Sequence, residues 1–140
     1  MSDQSAHGRP APAGQDVRID PVANRLTIQV RTGAAFRLLP ALLHSALESE
    51  GYVPGMEILI DCRSCEKPPR AATVRLMAAA LSDSRDLRGP VAVFAPNELT
   101  FGMGRMLEIL VGMQGDRNVR VFDEEPELES WLRRAAVAEE

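Results

Sequence analysis

Apolar and polar positions alternate from Val17 onward. Val17 and Ile19 are set against Arg18 and Asp20, then Leu26, Ile28 and Val30 against Thr27, Gln29 and Arg31. A period of two on both sides of Pro21–Asn24 predicts a β-hairpin with one buried face, closed by Gly33. The period then changes. Phe36, Leu39, Leu42, Leu43, Ala46 and Leu47 recur at helical spacing, and Pro40 fits a first turn, so a helix is expected from about Arg37–Leu39 to Gly51.

Met56 to Asp61 is a short, nearly continuous apolar run, the pattern of a central strand covered on both faces. Pro68 and Pro69 are expected to open a second helix with Val74, Met77, Ala78 and Leu81 inward. Val91–Ala95 reads as another buried strand. Asn97 is a good N-cap for a third helix, with Leu99, Met103, Met106, Leu107, Leu110 and Met113 as its stripe and Gly115 at its end. Val119, Val121 and Phe122 make a last strand. Leu128, Trp131, Leu132 and Ala135 then mark a final helix, with Glu124 and Glu125 at its positive end and Arg133 and Arg134 at its negative end.

The predicted order is β-β-α-β-α-β-α-β-α, an α/β class in which an N-terminal β-hairpin joins a mostly parallel sheet with packed helices. Residues 16–137 form one domain. Residues 1–15, with Gly8, Pro10, Pro12 and Gly14 and no apolar periodicity, are expected to be a disordered tail.

Composition narrows the function classes. The chain has 140 residues, 45% of them apolar and 26% charged, enough for a core without disulfides or metals. A net charge of −4 provides no basic field, so nucleic acid is not an expected partner. No apolar run reaches the ~20 residues of a membrane helix, and the N-terminus has no secretory pattern. The cytoplasm is the expected location. No Ser-His-Asp set, histidine cluster, P-loop or nucleophile elbow occurs, so the expectation is a non-enzyme with no cofactor and no metal.

Three stretches carry a family likeness: Ile58-Leu59-Ile60-Asp61-Cys62-Arg63; Val91 to Pro96 followed by Phe101-Gly102-Met103-Gly104-Arg105-Met106; and Val119-Arg120-Val121-Phe122 followed by Glu127 to Leu132. In this order and spacing they resemble the SpoIIAA-like branch of the STAS superfamily (sulfate transporter and anti-sigma-factor antagonist). The resemblance implies a SpoIIAA-like fold, also related to CRAL-TRIO lipid-binding domains, and a non-catalytic role as a partner-binding switch or a holder of small apolar molecules. One departure matters. Antagonists of this family carry a phosphorylated serine at the start of the helix after the central strand, but here that stretch reads Pro68-Pro69-Arg70-Ala71-Ala72-Thr73. The phosphoswitch is therefore not carried over.

Three candidate sites follow. Asp61 and Arg63 stand at the carboxyl end of a central strand, where open α/β sheets bind ligands. With Arg105 they form an expected rim for a ligand or partner, or else a structural salt bridge. Met77, Phe94, Phe101, Met103, Met106, Leu107 and Leu110 line an expected apolar cavity if they are not plain core. Cys62-Arg63-Ser64-Cys65 is a CxxC after a strand, a redox candidate; zinc would need more ligands than His7 and His44 add. Gly102 and Gly104 fall inside a helical period, where each costs ~1 kcal/mol against alanine, so close packing or room for a ligand should compensate. The functions in play are a regulatory or protein-interaction module, including a homodimer; a carrier of an apolar or lipid-like molecule; and a dithiol redox protein.

Overall fold

The computed structural model describes residues 15–84, 87–115 and 118–138. The tail expected over residues 1–15, and His7 within it, thus lies outside the described residues except for Gln15, which opens the first strand. The elements are β1 (Gln15–Asp20), β2 (Arg25–Val30), a 3-10 turn (Gly33–Leu38), α1 (Leu39–Leu47), β3 (Glu57–Asp61), α2 (Ala71–Asp83), β4 (Val91–Phe94), α3 (Glu98–Gln114), β5 (Val119–Phe122) and α4 (Glu125–Ala138).

The sheet runs β1-β2-β3-β4-β5. β1 and β2 are antiparallel, and each later pair is parallel. The hairpin turn forms because the Asp20 carboxylate accepts hydrogen bonds from the Val22 and Ala23 amides at 3.0 and 3.2 Å. Asn24 takes the left-handed conformation that asparagine tolerates, with φ of 58°.

Because each new parallel strand is added on the same side, right-handed crossovers place α1, α2 and α3 together on one face. Register aligns the inward side chains in rows: Leu26, Ile58, Val91 and Val119, then Ile28, Ile60, Val93 and Val121. These rows and the three helices make the larger core. The opposite face carries Leu59, Ala92, Phe94 and Phe122, covered by Leu128, Trp131 and Leu132 of α4. Trp131 meets Phe122 with ring centroids 5.5 Å apart and tilted by 46°, a favourable aromatic arrangement.

Besides α4, which runs on to Ala138 so that its last turn holds neither Arg133 nor Arg134, two expectations about helices need correction. α2 starts at Ala71, with Arg70 extended at its N-cap (ψ 159°), not at Pro68–Pro69. A residue that precedes a proline is driven out of the α region, and Lys67 and Pro68 both do so. The second correction concerns α3. Its inward residues are Thr100, Gly104, Leu107 and Val111, almost one residue on from the expected Leu99, Met103, Met106 and Leu110. The helix is thus rotated by about 100°, one residue step.

Gly104 explains the rotation. A Cβ there would stand 3.0 Å from the Val121 Cβ and closer still to its Cγ2. The backbone of α3 comes down onto β5 at this point, and a side chain would hold it off. Asn97 fixes the start as expected, its side chain accepting from the Leu99 and Thr100 amides at 2.9 and 3.3 Å.

Candidate functional site

The rim residues divide. Asp61 ends β3 and is buried at 7% exposure. Its carboxylate accepts from the Arg63 amide at 3.0 Å and from the Arg63 Nε at 3.1 Å. The same guanidinium donates to Glu125 at the start of α4 at 3.2 Å and lies 5.0 Å above the Phe94 ring. These contacts, led by the Asp61 hydrogen bond, hold the Arg63 pKa above its usual value. Asp61 and Arg63 therefore act together to join the end of β3 to the start of α4. Arg105 is not in this network. It lies on α3 and pairs with Glu108 of its own helix at 3.0 Å.

A second clamp on α4 escapes sequence reasoning. Arg25 opens β2 beside Glu57, which opens β3. Its Nε donates to Glu57 at 2.6 Å, and its two terminal nitrogens donate to both oxygens of Glu129 at 2.9 and 2.6 Å. This fork is the geometry that suits guanidinium and carboxylate best. The hydrogen bond from Arg25 lowers the Glu129 pKa despite partial burial. Nothing in the sequence separates Glu129 from Glu124, Glu125 and Glu127, which together read as a solvated face.

The seven residues of the expected cavity do not line one space. Met77 and Leu107 are buried in the larger core, with Phe101, Met103, Met106 and Leu110 partly buried against it. Phe94 belongs to the other face of the sheet. The apolar space beside Met77 lies instead toward α1, between Leu39, Leu43, Ile28, Ile60 and Leu81, and measures about 10 Å³. That is room for about one water.

Cys62 and Cys65 are both buried and unbridged. Burial, with Cys65 and Asp61 nearby, drives the Cys62 thiol well above its usual pKa, and burial raises Cys65 as well. The Cys65 thiol donates to the Lys67 carbonyl at 3.2 Å. A nucleophilic thiolate needs the opposite shift. Among the described residues no group of three or more His, Cys, Asp or Glu side chains could hold a metal ion, and no helix is long and apolar enough to cross a membrane.

The rotation of α3 has a consequence that the sequence pattern conceals. Turning Thr100 and Gly104 to the sheet turns large apolar side chains outward. Leu99 is 67% exposed, Ile109 56% and Met113 77%, with Met106 partly exposed between them and Gly102 open. An outward helix face normally carries polar side chains. Exposed Arg105 stands between Gly102 and Ile109 on the same outward face, paired with Glu108 of its own helix at 3.0 Å.

No family model matches the chain, and no curated protein matches it. Among solved structures, it is similar to an uncharacterised protein from the DUF3478 family with a SpoIIAA-like fold, from Shewanella loihica PV-4. The similarity covers 89% of this chain and 99% of the other, at 18% identity and a TM-score of 0.53. The fold is SpoIIAA-like and of mixed α/β class.

Proposed function

We propose that this chain is a non-catalytic, STAS-like interaction module that binds a protein partner through the crest of α3. One observation carries the reading. The same helix turns threonine and glycine inward and leucine, isoleucine and methionine outward. Large apolar side chains exposed along one helix mark a surface that another molecule covers. The Arg25 and Arg63 clamps fix α4 on the far face, so the crest stands on a braced support.

The carrier reading lacks a comparable observation, since the space near Met77 is far below the ~300 Å³ of a small-molecule pocket. The redox reading needs acidic thiols, and both thiols are shifted the other way.

Site-specific photo-crosslinking in living cells tests the proposal. A benzophenone side chain at Ile109 should give one reproducible protein adduct, whereas the same group at exposed Arg134 on α4 should not. Equal labelling at both positions, or none at Ile109, would overturn it.

A further inference from the structure

We infer that α4 is a releasable strap, seated in a groove on the far face of the sheet that also accepts, from another protein, an acidic amphipathic helix of the same pattern. The inference is independent of the α3 crest, which lies on the opposite face.

The first observation is how each clamp arginine divides its hydrogen bonds. Arg25 gives its Nε to Glu57 and its two terminal nitrogens to Glu129. Arg63 gives its Nε to Asp61 and a terminal nitrogen to Glu125. Glu57 and Asp61 are the first and last residues of β3, whereas Glu125 and Glu129 belong to α4. Each guanidinium is thus held by the sheet on one edge and by α4 on the other. The sheet side is the more buried: the Glu57 and Asp61 side chains are 14% and 10% exposed, against 34% and 53% for Glu129 and Glu125. Water can replace the α4 carboxylates while the arginines stay aimed across the groove. A groove whose cations keep their positions is preorganised for another pair of carboxylates.

The second observation is a separate core. Leu128, Trp131 and Leu132 pack on Leu59, Phe94 and Phe122, and this cluster shares no buried side chain with the larger one. The inward rows therefore keep their contacts with α1, α2 and α3 when α4 lifts, which is the condition for a cooperative opening short of global unfolding. Cations also stand over the rings that opening would bare. Arg63 lies 5.0 Å above Phe94, and Arg120 lies 5.7 Å above Phe122.

The pattern of α4 defines what the groove takes. Counting from Glu125 as i, carboxylates stand at i and i+4, and apolar side chains at i+3, i+6 and i+7, all within one side of a helix. Arg25, Arg63 and Arg120 around an aromatic floor complement such a helix and disfavour a basic one. The clamps keep α4 seated in most molecules, so binding from outside is reduced by the fraction that is open.

Hydrogen exchange of the full chain under native conditions, read by mass spectrometry, tests the opening. Amides from Leu128 to Leu132 should exchange as one unit, at least about 10-fold faster than those of β3 and β4. Glu125→Gln together with Glu129→Gln should speed α4 exchange by about 3–10-fold. Ile28→Val, a mild change in the larger core, should speed exchange in β3 and β4 by about 3–10-fold and leave α4 unchanged. A labelled peptide of residues 124–138 tests the groove by fluorescence anisotropy. It should bind the double-variant chain about 3–10-fold more tightly than wild type, and changing its own two glutamates to glutamine should weaken it by a similar factor. Exchange of α4 no faster than that of β3, or acceleration of both by Ile28→Val, would overturn the strap. Peptide binding that ignores the two glutamates, or no binding to either chain, would overturn the groove.

Discussion

Replacing Gly104 by alanine should destabilise the protein even though alanine is the better helix former. The gain in helix propensity is at most ~1 kcal/mol. Against it, the new Cβ would stand 3.0 Å from the Val121 Cβ and nearer to its Cγ2, where apolar atoms settle at about 3.5–4.0 Å. Val121 is 6% exposed and sits in the row with Ile28, Ile60 and Val93. It cannot turn aside without disturbing that row, so α3 must lift from the sheet. Contacts this close put the cost in the upper half of the about 1–3 kcal/mol usual for overpacking, leaving a net loss of about 1–2 kcal/mol after the propensity gain. For a chain of this size each kcal/mol lowers Tm by about 2–4 °C.

Urea unfolding of four proteins provides the assay: wild type, Gly104→Ala, Val121→Ala and the double variant. Trimming Val121 opens the space that the new methyl needs, so the double variant should lose less than the two single losses added together, with a coupling of about 0.5–1 kcal/mol. Gly112→Ala, on the same helix with nothing within 4 Å of the added atom, should be neutral or stabilising by up to ~1 kcal/mol. Wild-type or greater stability of Gly104→Ala, or strict additivity with Val121→Ala, would refute the account of why α3 lies as it does.

Other outcomes follow from the clamps and buried polar groups. Glu129→Gln should cost about 0.5–1 kcal/mol near neutral pH, a small value because the ion pair is partly exposed. Arg25 lowers the Glu129 pKa, so this contribution is complete above the unfolded value near 4.3 and is lost as pH falls through the folded value. Trp131 fluorescence during urea unfolding should therefore show the two proteins converging in acid; a gap that widens there would contradict the clamp. Cys62 should resist alkylation at pH 8 in the native protein and react at once in denaturant, whereas rapid native labelling would reopen the dithiol reading. Thr100 is buried, and its hydroxyl has no hydrogen-bond partner among the described residues. Thr100→Val should raise stability by about 1 kcal/mol, and a loss of that size would show that the hydroxyl is satisfied in solution.

The element order was readable because each segment keeps one clear period. The hairpin alternates strictly, the two central strands are nearly continuous apolar runs, and Asn97 marks the start of its helix. The orientation of α3 was not readable in the same way. Its sequence carries two apolar faces one residue apart, and the bulkier one, with Leu99, Met103 and Met106, looks like the core. The face that packs contains Thr100 and Gly104, and it is favoured because only a small residue lets the helix reach Val121. Helical periodicity ranks side chains by size, whereas close approach to a sheet favours their absence. The α4 clamp was hidden for a different reason. Arg25, Glu57 and Glu129 meet through parallel register and a crossing helix, and neither is written in local spacing. The reverse holds for Asp61 and Arg63, two residues apart, whose contact is local.

The most direct measurement of the central claim uses the protein's own methionines. Met103, Met106 and Met113 lie on or beside the crest, whereas Met56 and Met77 are buried at 1% and 5% exposure. Oxidative footprinting with mass spectrometry should compare dilute protein with concentrated protein and with protein in the extract of its own cells. The account predicts fast oxidation of Met113 in the dilute sample, marked protection of Met113 and Met106 when a partner is present, and slow oxidation of Met56 and Met77 throughout. Equal oxidation of Met113 in all three conditions would show that the crest stays bare and would contradict its role as the docking surface.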